Sequence, residues 1–517
     1  MSFPADLPTD VATLQALLRA AEEQLSERDA VIERKEERIV RLEKLVAEFK
    51  RALFGSKSEK ADPDQYPLAL EDIEIAIAAV HAEGEAIDPP KSRPKTRNAN
   101  RGALPIHLPR VEEVITPENT ICACGCERHV IGGDVSERLD IIPAQFRVIV
   151  TRRPKYACRS CEGGIVQAPA VPRLIESGLP TEATVASVIV AKFADHLPLY
   201  RQAQIYARQG VDLDRSTLAA WVGKAAWELT PIYDALMADL KRSTKLFMDE
   251  TTAPVLAPGK GKVKKGYFWA LARDDRPWNG EAPPGVAFTY APGRSGKHAV
   301  DILRGFEGIL QVDGYTGYNR VIDPKRQADI RLAYCWAHAR RKLFELTKNS
   351  AAPIAQEGLR QITALYRIEA QIRGLPASER TAARQERSAP LIAGFKTWLE
   401  HARAQVSAKS PTGEALKYIA KYWDGLILFL SDGRIEMDNN SVERSIRPIA
   451  LGRKNSLFAG HEAGAQNWAI LASLIETCKL NGIEPHGYLT QTLTAIVNGH
   501  KQSRIEELLP WTLPSFS

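Results

Sequence analysis

The sequence has no run of eighteen or more apolar residues, which is about the length that a transmembrane helix needs. Its first residues, MSFPADLPTD, lack the basic start and the apolar stretch of a secretory signal. These absences predict a cytoplasmic protein that spans no membrane. The hydrophobic share of 44% and the charged share of 26% are typical of globular chains, and 517 residues allow several folded units.

Cysteine is scarce and unevenly placed. Five of the seven cysteines fall within residues 122–161, and in a cytosolic chain such clustering favours metal binding over disulfides. Two short cysteine hairpins are the usual source of the four thiolates that hold a structural zinc ion. The second hairpin is regular, whereas the first offers three cysteines for two positions. The pattern predicts a zinc-binding module over residues 111–165, whose ligands are four of Cys122, Cys124, Cys126, Cys158 and Cys161.

A heptad repeat without proline or glycine runs through residues 11–50. Its apolar positions are Leu18, Leu25, Ile32, Ile39 and Val46, and a companion seam is interrupted by Arg28 and Lys35. This pattern predicts an N-terminal coiled coil over residues 11–55 that would join copies of the chain. The alternative, a single amphipathic helix lying on its own protein, stays open.

The next segment, residues 56–110, is predicted to be a helix followed by a basic linker. From Pro89 to Arg110 there are six basic residues and no acid. Such a segment suits contact with DNA phosphates, and it is equally typical of a solvated linker.

Residues 166–243 are helical in pattern and are a predicted DNA-binding region. Within them, Tyr200–Gln209 and Ser216–Trp227 form a helix pair around a turn at Gly210, with Ser216 as the predicted cap of the second helix. A pair of this kind is compatible with helix-turn-helix DNA binding, but it is also the commonest way to join two packed helices.

After residue 244 the pattern changes to short strands. A helix, Lys297–Phe306, precedes the last of them, and this order indicates an α/β sheet. The predicted strands are Lys245–Val255, Gly266–Arg273, Val286–Ala291 and Gly308–Val312. Residues 338–430 are almost wholly helical in pattern, including Ala415–Leu430.

Three carboxylates stand out in this part of the chain. Asp249 ends the strand-like KLFMDE, Asp313 ends GILQVDGY, and Glu443 shares a predicted helix face with Asn440 and Arg447. Oxygen ligands of this kind suit Mg²⁺, and two such ions can activate a nucleophile and stabilise a leaving oxygen in phosphodiester chemistry. Spacing alone does not select this triple among 63 acidic residues.

Longer motifs around these residues resemble the large transposase of the insertion sequence 66 family, in the DDE transposase superfamily. The similar stretches include MDET at Asp249, LQVDGYTGYNR at Asp313, CWAHARRKLFEL from Cys335 and MDNNSVERSIRPIALGRKNSLFAG from Met437. RALFGSKSE at 51–59, the stretch at 130–161 and the tail from His461 are similar as well. The resemblance therefore spans nearly the whole chain, in order, and departs at CACGC.

The resemblance implies a multidomain α+β protein with a ribonuclease-H-like α/β catalytic core over residues 244–450. It also implies a helical insertion at about 345–430, and a C-terminal helical region, residues 451–517, completes the expected organisation. The metal-binding triad would be Asp249, Asp313 and Glu443, with Mg²⁺ or Mn²⁺. Candidate DNA-contacting residues near the triad are His338, Arg340, Arg341, Arg444, Arg447, Arg453 and Lys454, because arginine grips phosphate bidentately.

For each of these basic residues taken singly, an ordinary surface salt bridge or structural hydrogen bond is the competing interpretation. His338 could position phosphate or protonate a leaving group. Tyr315 and Tyr318 could stack on a displaced base or could be core aromatics.

The expected function is a sequence-specific transposase that binds the ends of its element, frees a 3′-hydroxyl and joins it to target DNA. Its partners would be end and target DNA and a second copy of the chain, in the cytoplasm at the nucleoid. Whether accessory proteins of the same element take part is left open. The rival hypotheses are a nuclease of the same fold without strand transfer and a zinc-dependent DNA-binding regulator without catalysis.

Overall fold

The computed structural model divides the chain into two compact units, Met1–Gln145 and Phe146–Ser517. The structure describes residues 145–156, 166–176, 178–257, 262–324, 329–348, 352–456 and 459–512, with a few single positions before them. The predicted cysteine ligands and most of the predicted coiled coil lie outside these residues. The described positions within 11–22 are helical and exposed.

The described part of the second unit contains seven strands and thirteen α-helices. The strands are β1 (Lys155–Tyr156), β2 (Val166–Gln167), β3 (Lys245–Ala257), β4 (Lys262–Arg273), β5 (Gly285–Ala291), β6 (Gly308–Val312) and β7 (Ile330–Tyr334). The helices up to the sheet's last strand are α1 (Glu182–Phe193), α2 (Leu199–Arg208), α3 (Arg215–Lys241) and α4 (Gly296–Ile302). Those that follow are α5 (Trp336–Thr347), α6 (Pro353–Ile372), α7 (Ala377–Ala383), α8 (Ala389–Gln405), α9 (Pro411–Lys421), α10 (Trp423–Leu426), α11 (Asn440–Ser456), α12 (Glu462–Leu480) and α13 (Pro485–Val497).

Five strands form one mixed sheet in the order β5-β4-β3-β6-β7. β3, β4 and β5 pair antiparallel, whereas β6 runs parallel to both β3 and β7. The parallel partners need crossover connections, and the connection from β5 to β6 contains α4. The chain therefore builds a meander first and then adds two strands on the other side of β3.

Two hydrophobic clusters hold these elements together. The larger joins the sheet to α1, α3, α12 and α13 and contains Trp269, Phe288 and Leu471. The smaller lies among α5 to α10 around Trp336 and Phe395. The helices between β7 and α11 thus have a core of their own. Among the described residues, no helix combines the length and apolarity that crossing a bilayer requires.

Most predicted elements are confirmed, and two local predictions are wrong. The cap of α3 is Asp214, whose carboxylate accepts the Ser216 N–H at 2.7 Å, rather than Ser216 itself. The predicted helix over 415–430 breaks after α9 into two short turns. The break brings Gly425 so close to β7 that a Cβ atom would lie 2.8 Å from the Leu332 carbonyl oxygen.

Buried arginines fasten the helices after β7 to the segment that leads into α11. Arg384 is fully buried and donates hydrogen bonds to the carbonyls of Phe429, Asp432 and Ile435, and it pairs with Glu369 at 2.7 Å. Because a buried charge is costly unless it is paired and hydrogen-bonded, this many-partner arrangement defines the path of residues 429–435.

Candidate active site beside the parallel strands

Asp249 and Asp313 lie at the same level of neighbouring parallel strands. β3 pairs with β6 only from Lys245 to Phe247, each residue being matched to one 64 positions later, as in Lys245↔Ile309. Continuing this offset of 64 residues places Asp249 opposite Asp313, two residues beyond the last pair, Phe247↔Gln311. Because no strand pairs with this edge of β3 between residues 248 and 253 in the described chain, the two carboxylates lie at an opening in the sheet.

Glu443 reaches this opening from the first turn of α11. The segment before the helix, residues 436–439, crosses the ends of β6 and β7. The Trp336 N–H donates to the Met437 carbonyl at 2.8 Å, and the Glu443 N–H donates to the Asn439 carbonyl at 3.2 Å. The backbone after β7 therefore holds the turn that carries the third carboxylate.

Gln311 connects this segment to the strand that carries Asp313. Its amide nitrogen donates to the carbonyls of Glu436 at 2.6 Å and Asp438 at 2.8 Å, and its amide oxygen accepts the Glu436 N–H at 3.2 Å. The side chain is fully buried. The sequence analysis missed Gln311, although a polar residue inside the apolar strand GILQV was a usable signal.

Asn439 makes the corresponding connection to the strand that carries Asp249. Its side-chain nitrogen lies 3.4 Å from the carbonyl oxygen of Met248, and its backbone N–H donates to Cys335 Sγ at 3.3 Å. Asn439 is fully buried. Gln311 and Asn439 together fix the start of α11 against the two aspartate-bearing strands.

The pKa of Asp249 indicates that the three carboxylates lie close together. Burial raises the pKa of Asp249 well above its usual range, and the charges of Glu250, Asp313 and Glu443 raise it further. A buried carboxylate that is surrounded by other negative charges in this way belongs to a site that a cation would stabilise. Their oxygen donors are those that Mg²⁺ or Mn²⁺ prefers.

A fourth acidic residue, Glu250, is adjacent to this site and was not predicted. Its buried carboxylate accepts the Tyr318 hydroxyl at 2.5 Å and Arg294 Nε at 2.6 Å. Tyr318 is itself fully buried, so it is a core aromatic rather than a surface for stacking a base. Tyr315 is half-buried, and its N–H donates to the Asp313 carboxylate at 2.9 Å.

His338 lies beside the third carboxylate, with Nδ1 4.0 Å from Glu443 Oε1. Cys335, Glu443 and His338 each place one potential ligand atom within 4.8 Å of the others. Cys335 is buried, and burial raises the pKa of its thiol to about 12. The hydrogen bond that its Sγ accepts from the Asn439 N–H is the contact that the structure shows for this thiol.

The other predicted basic residues lie on α5 and α11. Five of them are exposed, namely Arg340, Arg341, Arg444, Arg447 and Lys454. Arg453 is half-buried, and its guanidinium donates to the Thr252 carbonyl in β3 at 2.6 Å. Arg453 therefore ties α11 to the sheet, whereas contact of the exposed residues with DNA stays a prediction.

Most of the chain, from residue 41 to residue 511, matches four models of protein families. Residues 177–467 match the transposase IS66 family, and residues 473–511 match the IS66 C-terminal element. Residues 119–162 match the zinc-finger binding domain of transposase IS66. Residues 41–112 match the family described as transposase C of IS166 homeodomain.

Similar full-length proteins occur in Sinorhizobium fredii (strain NBRC 101917 / NGR234). The uncharacterized protein y4qI is 43% identical over 532 residues, which cover 98% of each chain. The uncharacterized protein y4jD is 44% identical over 480 residues, which cover 90% of this chain and 93% of the relative. The family match, which includes the three carboxylates and the helices around them, shows that this chain belongs to the IS66 transposase family.

Proposed function

We propose that the chain is a Mg²⁺-dependent DNA transposase that cuts the ends of its element and joins them to target DNA. The observation that carries the proposal is the convergence of Asp249, Asp313 and Glu443 in a chain of this family. We further propose a ribonuclease-H-like core for residues 244–450. Support for that core comes from the mixed five-stranded sheet, in which Asp249 lies within β3 just beyond its parallel pairing with β6 and Asp313 directly follows β6.

The triad fits a divalent cation by its chemistry. It supplies oxygen donors, and the raised pKa of Asp249 reflects first its burial and then the negative charges of the neighbouring carboxylates. When bound there, Mg²⁺ or Mn²⁺ would assist the attacking oxygen and stabilise the leaving oxygen at phosphorus.

The protein's own part in this chemistry is to position DNA. Water would attack at the element end to release a 3′-hydroxyl, and that hydroxyl would then attack a target phosphodiester in line. The exposed basic residues of α5 and α11, among them Arg341 and Arg444, would hold the phosphates of the strand at the site. His338, whose Nδ1 lies 4.0 Å from Glu443 Oε1, would position that carboxylate or donate to a phosphate oxygen.

Recognition and pairing of the ends would fall to the other regions. In the helical region 166–243, α2 and α3 expose Arg201, Arg208 and Arg215, and Gly210 at φ 77° makes the turn between them. We assign end binding to this pair together with the zinc module. The zinc-finger family match supports a structural zinc ion at four of the five clustered cysteines. Self-association is assigned to the N-terminal heptad.

The test uses duplexes that carry the terminal sequence of the element, with and without Mg²⁺. Asp249→Asn, Asp313→Asn and Glu443→Gln should each abolish cleavage while end binding is retained, because each change removes a ligand charge and preserves shape. Asp301→Asn is the matched control, since Asp301 lies on α4 and pairs at the surface with Arg304. It should cut at the wild-type rate.

Three outcomes would contradict the proposal in different ways. Cleavage near the wild-type rate for any triad variant removes that residue from the triad. Cleavage without joined products supports a nuclease. Binding with no cleavage in Mg²⁺ or Mn²⁺ supports the non-catalytic regulator.

A further inference from the structure

We propose that Arg294 binds a DNA phosphate beside the bond that is cut. This inference rests on the proposed function, and it concerns a residue outside the carboxylate triad and outside the basic motifs of α5 and α11. Arg294 lies in the loop between β5 and α4.

The side chain of Arg294 is exposed to 43%, yet it is held from two sides. Its Nε donates to the buried carboxylate of Glu250 at 2.6 Å, and its guanidinium carbon lies 4.1 Å from the centre of the Tyr315 ring. The Tyr315 hydroxyl also donates to the Arg294 carbonyl. A guanidinium fixed in this way loses little further freedom when it binds a ligand.

The loop that carries Arg294 is packed tightly against the loop after Asp313. A Cβ atom at Gly296 would lie 2.2 Å from the carbonyl oxygen of Gly317, so only glycine fits there. This close approach keeps Arg294 beside the turn that leaves β6. Its position is therefore tied to that of the second aspartate.

Glu250 is an unusual partner for an exposed arginine. The Glu250 side chain is fully buried, and its carboxylate accepts hydrogen bonds from the Tyr318 hydroxyl and from Arg294 Nε. Ordinary surface ion pairs contribute little and do not require a buried carboxylate. Burying the Glu250 carboxylate costs free energy. That cost has a reason if the carboxylate orients the guanidinium plane of Arg294.

The negative charge of the site explains why a positively charged side chain such as Arg294 is needed beside it. A DNA phosphate that approaches the triad meets the charges of Asp249, Asp313 and Glu443, and Arg294 stands close enough to Asp313 for the two charges to interact. Within the described chain, the recorded side-chain hydrogen bond of Arg294 uses Nε, which leaves the terminal Nη pair for the two parallel bonds that arginine makes to phosphate.

The experiment measures cleavage and binding of end duplexes that carry one methylphosphonate at a time around the cut. A methylphosphonate removes the charge of a single phosphate. For the wild type, we expect one or two positions at which this change slows cleavage about tenfold to a hundredfold, as expected for losing one positioned contact. Arg294→Gln should be slower on unmodified DNA and should show no further loss at those positions.

Two additional variants separate phosphate binding from a structural role. Arg304→Gln removes an arginine that is 81% exposed and lies just after α4, and its interference pattern should match the wild type. Arg294→Lys keeps the charge but cannot make the two parallel hydrogen bonds of a guanidinium. Its cleavage rate should lie between those of the wild type and Arg294→Gln. The salt dependence of binding, as the slope of log K against log salt, should fall by about one for Arg294→Gln.

If Arg294→Gln loses cleavage but keeps the wild-type interference pattern and salt slope, Arg294 only supports Glu250 and the inference is overturned. If it cuts like the wild type, the inference is overturned too. Should Arg294→Gln unfold, the Arg294→Lys pattern decides, because Lys cannot reproduce a bidentate contact. A wild-type protein that never cuts would instead refute the proposed function, and the inference would fall with it.

Discussion

Replacing Gln311 with methionine tests whether one buried amide assembles the triad. Methionine has nearly the same length and volume, so the change removes hydrogen bonds and leaves little cavity. Three bonds are lost, two donated to the carbonyls of Glu436 and Asp438 and one accepted from the Glu436 N–H. These bonds hold the segment that leads into Glu443.

The expected loss of stability follows from the bond count. Each buried hydrogen bond contributes about 1 kcal/mol net, so the three together contribute about 3 kcal/mol to the free energy of unfolding.

The effect on the site follows because residues 436–438, which lead to Glu443, lose these hydrogen bonds. Removing a residue that orients metal ligands lowers metal affinity about 10- to 100-fold, and a displacement of about 1 Å at a reacting centre slows the chemistry about 100-fold.

The chain offers a closely matched control in Gln202→Met. Gln202 is fully buried, donates to the carbonyls of Val188 and Leu197 at 3.2 and 3.0 Å, and accepts the Tyr206 hydroxyl at 3.1 Å. Both variants should lose similar stability in urea unfolding. Mn²⁺ binding, measured by electron paramagnetic resonance, should weaken only for Gln311→Met. Equal Mn²⁺ affinity of Gln311→Met and the wild type would refute the argument.

Three further predictions concern other parts of the chain. Elemental analysis should find one tightly bound zinc ion per chain, and serine at Cys158 or Cys161 should release it; a folded module without zinc would contradict this. Charged residues at Leu25 and Ile32 should reduce self-association in light scattering, with and without end DNA, and an unchanged oligomeric state would make the segment an intramolecular helix. Burial lowers the pKa of Lys245 from 10.5 to about 8, so the folded state disfavours its charged form. Stability of the wild type relative to Lys245→Met should therefore rise between about pH 8 and pH 10.5, and a flat difference in urea unfolding would rule out the shift.

The local sequence predicted the elements well wherever a pattern repeats over neighbouring residues. β6 has the predicted bounds, and β3 to β5 lie within a few residues of their predicted ranges, because apolar runs bounded by Gly, Pro or Asp are local signals. The turn at Gly210 was predicted for the same reason. The cap of α3 and the break after α9 were wrong, since capping geometry and a close approach to β7 depend on atoms that the pattern does not specify.

The sequence by itself also determined the candidate triad, once the longer motifs were recognised as those of a family. Asp313 is visible in the chain because the buried strand β6 ends just before it, whereas Asp249, which was predicted to end its strand, lies inside β3. What spacing could not provide was their convergence, which comes from the parallel register of β3 and β6.

Only the tertiary structure decided which polar residues support that triad. Gln311 bonds residues 125 and 127 positions away, and Arg294 bonds a carboxylate 44 positions before it. Periodicity reports which face of an element is buried, and it carries no information about which side chain lies opposite another across packed elements. The partners of Gln311, Asn439 and Arg294 are set by that packing, because a buried polar group is stable only where the fold brings it a hydrogen-bonding partner.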